Sequence, residues 1–252
     1  MFSLNGKTAV VIGGGGVLAG EMAMGFAKAG ADVAVLDLNA DNAEARAAAV
    51  RALGRRAIGV KTDATSKQDL SRACDTILKE LGSVDILLNA AGINSSTPFF
   101  DITEEEWQRI LDVNLKSMFL ACQVFGKVMV DAGRGSIINI SSASSTPPLS
   151  KVFTYSITKG GVNQLTQYLA REFAPYKVRV NALAPGFIPA EQNRKILTQE
   201  RVASIMAHTP MNRFGEPSEM VGAVVWLASD QAASFVTGAI IRVDGGFTAT
   251  TI

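Results

Sequence analysis

The sequence predicts a single α/β domain built on a doubly wound, parallel, seven-stranded sheet with helices on both faces. Three observations carry that prediction. Short apolar runs alternate with amphipathic helical stretches from the first residues almost to the last, which is the pattern of repeated βαβ units. Of the 252 residues, 48% are hydrophobic and only 7% aromatic, with 23 glycines, a composition suited to parallel strands buried on both faces. No low-complexity linker, internal repeat or long charge run breaks the alternation. The span 1–252 is therefore read as one domain, although its length alone also permits two.

The elements follow in order. Strands are predicted at Thr8–Ile12, Asp32–Leu36, Ala57–Thr62, Ile86–Asn89, Ser136–Ser141, Arg179–Ala184 and Ile240–Val243. Behind the first strand, Ala19, Met22, Ala23, Phe26 and Ala27 fall at i, i+3, i+4, i+7 and i+8, and Gly30 closes the helix. Thr103 with Glu106 reads as a capping box, and Pro217 as a first helical position before Met220–Ala228. The residues with special chemistry mostly follow strand C-terminal ends, the edge on which an open α/β sheet binds ligands.

Charge and cysteine content narrow the function classes. The formal net charge is +1, with both signs scattered, so nothing draws the chain to nucleic acid or an acidic membrane. Cys74 and Cys122 lie far apart with no C-x-x-C, which argues against a metal cluster or a disulfide framework. Met1 leads directly into a strand, and no uncharged segment of membrane-spanning length is predominantly apolar. The expectation is a cytoplasmic protein with a small-molecule partner and no metal.

The stretch Thr8 to Asp37 runs strand, glycine turn, helix, strand, acidic residue. That order lays a pyrophosphate over free N–H groups at a helix N-terminus and puts a carboxylate within reach of ribose hydroxyls, as in a Rossmann-type domain. The turn alone could equally be a tight strand-to-helix connection. Asp37 at the end of the second strand shifts the reading toward a dinucleotide. A carboxylate there accepts from a 2′-hydroxyl and repels a 2′-phosphate, which points to NAD rather than NADP. Asn39 and Asp41 remain available to cap the next helix.

A second constellation is Tyr155-Ser-Ile-Thr-Lys159, two polar residues four apart on one helix face. A phenol with a pKa near ~10 is a poor base at neutral pH, and a nearby ammonium lowers it. Such pairs are common on solvated helices. The pair gains meaning from Ser142, which ends the strand "IINISS" and would bring a hydroxyl into the same cleft.

With these motifs in hand, the chain resembles the short-chain dehydrogenases/reductases over its whole length. The resemblance rests on the glycine turn, Asp63 after the third strand, Asn89-Ala-Ala-Gly92, Asn114, Ser142, Tyr155-x-x-x-Lys159, Pro185-Gly186 and Val243-Asp-Gly-Gly246, all in order. It implies that Tyr155 exchanges a proton with the substrate oxygen, Ser142 orients that oxygen, Lys159 lowers the tyrosine pKa and binds the nicotinamide ribose, and Asn114 holds a water in a proton relay. For the cofactor it implies Gly13, Gly15, Gly16, Val17 and Leu18 at the pyrophosphate and Asp37 at the ribose. Asp63 and Ala64 would lie at the adenine, with Asn89, Ala90 and Gly92 lining the cleft, and Pro185, Gly186 and Ile188 at the carboxamide. It also implies a homotetramer, joined through the helices around Trp107 to Val130 and Tyr155 to Phe173 and the C-terminal strand.

The departures from the family pattern carry information. Ile12 stands where the turn usually has threonine, Val17 and Ala19 replace its second and third glycines, and Ala190 replaces a threonine of the loop after Pro185-Gly186. Val17 is β-branched and resists a left-handed backbone, so the expectation is a helix entered at Val17, with Gly16 taking the unusual dihedrals.

In this family the segment after Pro185-Gly186, here about 187–215, closes over the substrate. Its cluster Glu191-Gln-Asn-Arg194 offers Arg194 for a carboxylate and Gln192 and Asn193 for hydroxyls. Ser144 and His208 are further substrate candidates, and His208 could equally be a helix-end cap. "EQNR", "AHTPM" and the "GGGGVL" turn resemble the short-chain fructuronate reductases, which interconvert D-fructuronate and D-mannonate. The implied substrate is a keto-uronate, an aldonate or a related sugar acid. A 3-oxoacyl thioester reductase or sugar-alcohol dehydrogenase shares the same catalytic set, and a dinucleotide-binding sensor or scaffold is the non-enzyme alternative.

Overall fold

The computed structural model describes residues 1–189 and 198–249. Seven parallel strands form one sheet among these residues: β1 (Thr8–Ile12), β2 (Asp32–Asp37), β3 (Ala57–Lys61), β4 (Ile86–Asn89), β5 (Gly135–Ile140), β6 (Val178–Pro185) and β7 (Ile240–Val243), in the order β3-β2-β1-β4-β5-β6-β7. Each matches an expected strand to within a residue or so. The chain winds outward from β1 to β3, then crosses back to lay β4 against the other side of β1. The loops after β1 and β4 therefore diverge at the sheet's C-terminal edge, the switch point at which such sheets bind ligands.

Eight α-helices are described: α1 (Val17–Lys28), α2 (Ala40–Arg51), α3 (Lys67–Leu81), α4 (Glu104–Leu111), α5 (Ser117–Ala132), α6 (Phe153–Phe173), α7 (Gln199–Ala207) and α8 (Val221–Ala228). Successive strand side chains point to opposite faces, and the core divides accordingly. Val11, Val33, Val35 and Leu88 pack with α1, α2 and α8 on one face. Val10, Ile12, Ala34 and Leu87 pack with α3 and α5 on the other.

Two local expectations change in detail. Thr103 Oγ1 accepts from Glu106 N at 3.2 Å, but the Glu106 carboxylate takes the Thr97 hydroxyl at 2.8 Å instead of returning to the cap. Pro217 opens a 3₁₀ turn (Pro217–Met220) ahead of α8. The helical run 104–132 is long and apolar enough, by length and composition, to cross a membrane, with a mean hydropathy of 1.2. In the fold that apolarity serves the core, where Leu120, Ala121, Phe125 and Met129 are buried. Cys74 and Cys122 are both buried free thiols, pushed up by burial to about 11 and about 12 respectively. Burial of this kind keeps a thiol protonated at neutral pH.

Candidate active site

The end of β5 and the start of α6 build the centre of the site. Ser142 lies two residues beyond β5 and caps a short 3₁₀ turn, its Oγ accepting from Ser144 N at 3.1 Å and from Ser144 Oγ at 3.0 Å. Helix α6 is fastened to the same strand end. Ser141 Oγ donates to Asn163 Oδ1 at 2.7 Å, and the Lys159 ammonium donates to the Ile140 carbonyl at 2.7 Å. Tyr155 follows from that anchoring, with its ring centroid 5.4 Å from Lys159 Nζ.

Burial sets the electrostatics. Lys159 is only 3% exposed, and desolvation draws its ammonium down to about 8, so at neutral pH it is still mostly charged. Burial pushes the Tyr155 phenol above its ordinary value, while a hydrogen bond with Ser142 works in the opposite direction. Desolvation thus outweighs the expected lowering of the Tyr155 phenol, and Lys159 keeps its charge while donating to the Ile140 carbonyl. A phenol, a hydroxyl and a buried cation gathered this way can donate to one substrate oxygen and stabilise charge on the group that gives up its proton.

Asn114 sits, fully buried, in a π-helical turn (Asp112–Lys116) between α4 and α5. Such bulges often mark functional positions. Its Oδ1 accepts from Ile93 N at 2.8 Å, and its Nδ2 donates to Ile93 O at 2.8 Å and Thr158 Oγ1 at 3.2 Å. Thr158 in turn donates to the Tyr155 carbonyl at 2.7 Å. The side chain expected to hold a relay water thus ties the loop after β4 to α6, with one acceptor position on Oδ1 left over. Thr158, Ser141 and Asn163 are supporting residues that the sequence reading missed; as common polar residues on a helix or at a strand end, they gave no signal.

The glycine turn has the shape a dinucleotide requires. Gly13 adopts φ 76°, and a Cβ on it would lie 3.0 Å from Ala91 Cα, so the turns after β1 and β4 touch there. A Cβ on Gly15 would meet Asp37 Oδ2 at 2.9 Å. Helix α1 starts at Val17, as expected, but Gly16 is ordinary extended backbone at φ −69° and ψ 163°. The unusual dihedrals belong to Gly13, because the reversal comes directly off the strand, and Gly16 only caps the helix. With no side-chain cap, the first-turn N–H groups remain free for an anion. Val17 is 57% exposed beside them, while Leu18 packs on the core.

Asp37 braces this turn. Its Oδ2 accepts from Gly15 N at 3.1 Å and its Oδ1 from Asn39 N at 3.0 Å. Asn39 is the residue that caps α2, accepting from Asn42 N at 3.1 Å. Asp63, beside Ala64, is occupied locally, Oδ1 accepting from Thr65 N and Oγ1 at 2.8 and 2.7 Å. Asn89, at the end of β4, is buried and its Nδ2 donates across the sheet to Asn139 Oδ1 at 2.8 Å. Ala90 continues the strand, its N–H donating to Ile12 O at 3.1 Å. A Cβ on Gly92 would lie 3.5 Å from Asn114 Oδ1 and 3.8 Å from Lys159 Nζ, so Gly92 borders both candidate residues. These features fit a dinucleotide along the edge from Gly13 to Lys159.

Pro185 closes β6 against Val243, and Gly186 N donates to Val243 O at 3.0 Å. Behind this turn Ile188, Met211, Arg213, Arg242 and Asp244 line a cavity of about 390 Å³. Two substrate candidates change role. Ser144 is fully buried and reaches only Ser142, so it positions that residue. His208 is the C-cap of α7, its Nδ1 2.8 Å from Ser204 O, in keeping with the helix-end alternative. Gln192, Asn193 and Arg194, with Ala190, lie outside the described residues.

Comparison with known proteins agrees with this geometry. The short-chain dehydrogenase model described as enoyl-(acyl carrier protein) reductase matches residues 16–248. An uncharacterized oxidoreductase, UxuB, of Bacillus subtilis (strain 168) is 39% identical, over 98% of this chain and 96% of its own. Among solved structures, a gluconate 5-dehydrogenase from Burkholderia cenocepacia J2315, in complex with NADP and tartrate, superposes with a TM-score of 0.94 at 33% identity, covering 99% of this chain and 98% of that one. A candidate D-mannonate oxidoreductase from Haemophilus influenza with bound NAD gives 0.94 at 32% identity, covering 99% and 97%. The chain belongs to the short-chain dehydrogenase/reductase family of oxidoreductases.

Proposed function

We propose that this oxidoreductase interconverts a carbonyl and a secondary alcohol on a sugar acid of the D-fructuronate/D-mannonate kind, with NAD(H) as its cofactor. The observation that carries the chemistry is the grouping of the Tyr155 phenol, the Ser142 hydroxyl and the buried Lys159 ammonium at one strand end. When bound, the dinucleotide supplies or takes up the hydride. In reduction, Tyr155 gives its proton to the substrate oxygen while Ser142 donates to the same atom and fixes its direction. The Lys159 cation favours the phenolate left behind. Asn114 keeps α6 and the loop after β4 at a fixed separation throughout.

The choice of NAD rests on Asp37, whose carboxylate stands at the end of β2 with Gly15 N–H on one oxygen. The NADP-bound gluconate 5-dehydrogenase relative makes this a question for measurement. The sugar-acid assignment is supported by that relative and by the D-mannonate relative. A homotetramer is supported by exposed apolar side chains on the two expected helices, Phe119 on α5 and Ile157 and Tyr168 on α6. A steady-state screen of keto-uronates, aldonates, ketoses and 3-oxoacyl thioesters with both cofactors tests the assignment. Turnover confined to thioesters, or to NADP(H), would reject it.

A further inference from the structure

The two ends of helix α7 rest on different loops. At its C-terminal end Thr209 packs against Gly245, just beyond β7. At its N-terminal end Arg201 reaches the loop that joins Ser142 to Tyr155, Nη1 donating to Ser150 Oγ at 2.9 Å and Nη2 to the Ser150 carbonyl at 3.4 Å. The helix therefore bridges the turn after β7 and the loop between Ser142 and Tyr155, with its guanidinium lying on that loop.

Among the described residues, that guanidinium has no carboxylate partner. Arginine carries five N–H donors, and only two of its nitrogens are engaged, by a neutral hydroxyl and a carbonyl. Lys151, the next residue after Ser150, is exposed and held at φ 66°. Non-glycine residues rarely adopt that conformation, and it tends to gather where a site dictates geometry. Lys151 likewise forms no ion pair among the described residues. Arg201 and Lys151 are thus two cations, without an ion-pair partner among the described residues, at the loop between Ser142 and Tyr155.

Of the other cations described, Arg242 lines the cavity behind the Pro185-Gly186 turn, away from the Ser150 loop contact. Arg213 is paired in two contacts with Glu219, at 2.8 and 2.6 Å. His208 turns back to Ser204. We infer that Arg201, assisted by Lys151, receives the carboxylate of the substrate, so that one end of a sugar acid is fixed at the Ser150 loop while its carbonyl or alcohol lies at Ser142 and Tyr155. A planar guanidinium suits a carboxylate better than an ammonium does, because two parallel N–H groups match two oxygens. This inference rests on the sugar-acid reading above.

The test compares each acid with its neutral counterpart: D-mannonate with D-mannitol and D-gluconate with D-glucitol, oxidised with NAD by the wild type, Arg201→Gln, Arg201→Lys and Lys151→Gln. The wild type is expected to favour the acids. In Arg201→Gln the acid-to-polyol ratio of kcat/KM is expected to fall at least about tenfold, the loss of one charged contact, with Arg201→Lys intermediate and Lys151→Gln showing a smaller fall. If Arg201 is only a clasp for α7, both substrates weaken together and the ratio stays put, which overturns the assignment and leaves the sugar-acid reading intact. A wild type that favours the polyols overturns both. Should Arg201→Gln fail to bind NADH, and so be misfolded, the wild type decides alone: its KM for the acids must rise with ionic strength while that for the polyols stays level, and a flat response for the acids counts against the cation subsite.

Discussion

Lys159 Nζ donates to the Ile140 carbonyl at 2.7 Å, so the cation of the candidate site is held by the strand that carries Ser142. The consequence for stability can be worked out from its depressed pKa. A lysine whose value falls from 10.5 to about 8 on folding penalises the folded state wherever it is charged, at about 1.4 kcal/mol per unit. The cost, about 3 kcal/mol, is complete below pH 8 and disappears as pH rises through 10.5. In Lys159→Met this cost is absent, although the orphaned Ile140 carbonyl removes part of the gain. The stability of the variant relative to wild type should therefore decline by about 3 kcal/mol between pH 7 and 10.5. Denaturant unfolding at several pH values measures it, and a pH-independent difference would show that burial does not shift Lys159.

Two glycines share nearly the same φ and differ in their surroundings. Gly13 has φ 76° with Ala91 at 3.0 Å from a built Cβ, whereas Gly54 has φ 78° with nothing within 4 Å. Gly54→Ala should cost only the left-handed penalty, about 1 kcal/mol. Gly13→Ala adds a backbone clash at the switch point, so it should cost about 2–4 kcal/mol and weaken dinucleotide binding as well. Urea melts with NADH titrations compare them, and equal costs would mean that the contact between the turns after β1 and β4 relaxes freely.

Most of this architecture was legible in the sequence because each strand is a short apolar run between turn residues, and alternation fixes which face each side chain takes. Asp37 and the Tyr155–Lys159 spacing were legible for the same local reason. The contacts that set their properties were not. That Lys159 donates to the Ile140 carbonyl depends on how α6 meets β5, and that Asn89 donates to Asn139 depends on how β4 meets β5. Val17 illustrates the boundary. Its β-branched side chain correctly implied a helix starting there, but only the fold shows the reversal at Gly13.

Asp37 offers a test of cofactor choice that spares the turn. Asparagine keeps an oxygen able to accept from Gly15 N at the present 3.1 Å while removing the charge that repels a 2′-phosphate. Asp37→Asn should raise the NADP-to-NAD ratio of kcat/KM at least about tenfold. Asp37→Ala lacks the brace to Gly15 and should lose affinity for both. An unchanged ratio in the asparagine variant would mean that the carboxylate is not at the 2′ position.

Ser144 and Tyr155 separate positioning from proton transfer. Tyr155→Phe keeps the ring and removes the exchangeable proton, so turnover should drop by about 10² to 10⁴ while NADH still binds. Ser144 is buried and touches the site only through Ser142 Oγ at 3.0 Å. Its removal leaves Ser142 free to rotate away from the substrate oxygen, a loss of orientation and not of chemistry. Ser144→Ala should therefore lower kcat by about tenfold or less, with the pH profile unchanged, and Ser144→Thr should restore part of the loss by returning a hydroxyl to the same place. A shifted pH profile in Ser144→Ala would instead place Ser144 in the proton path, and near-complete turnover in Tyr155→Phe would remove Tyr155 from it.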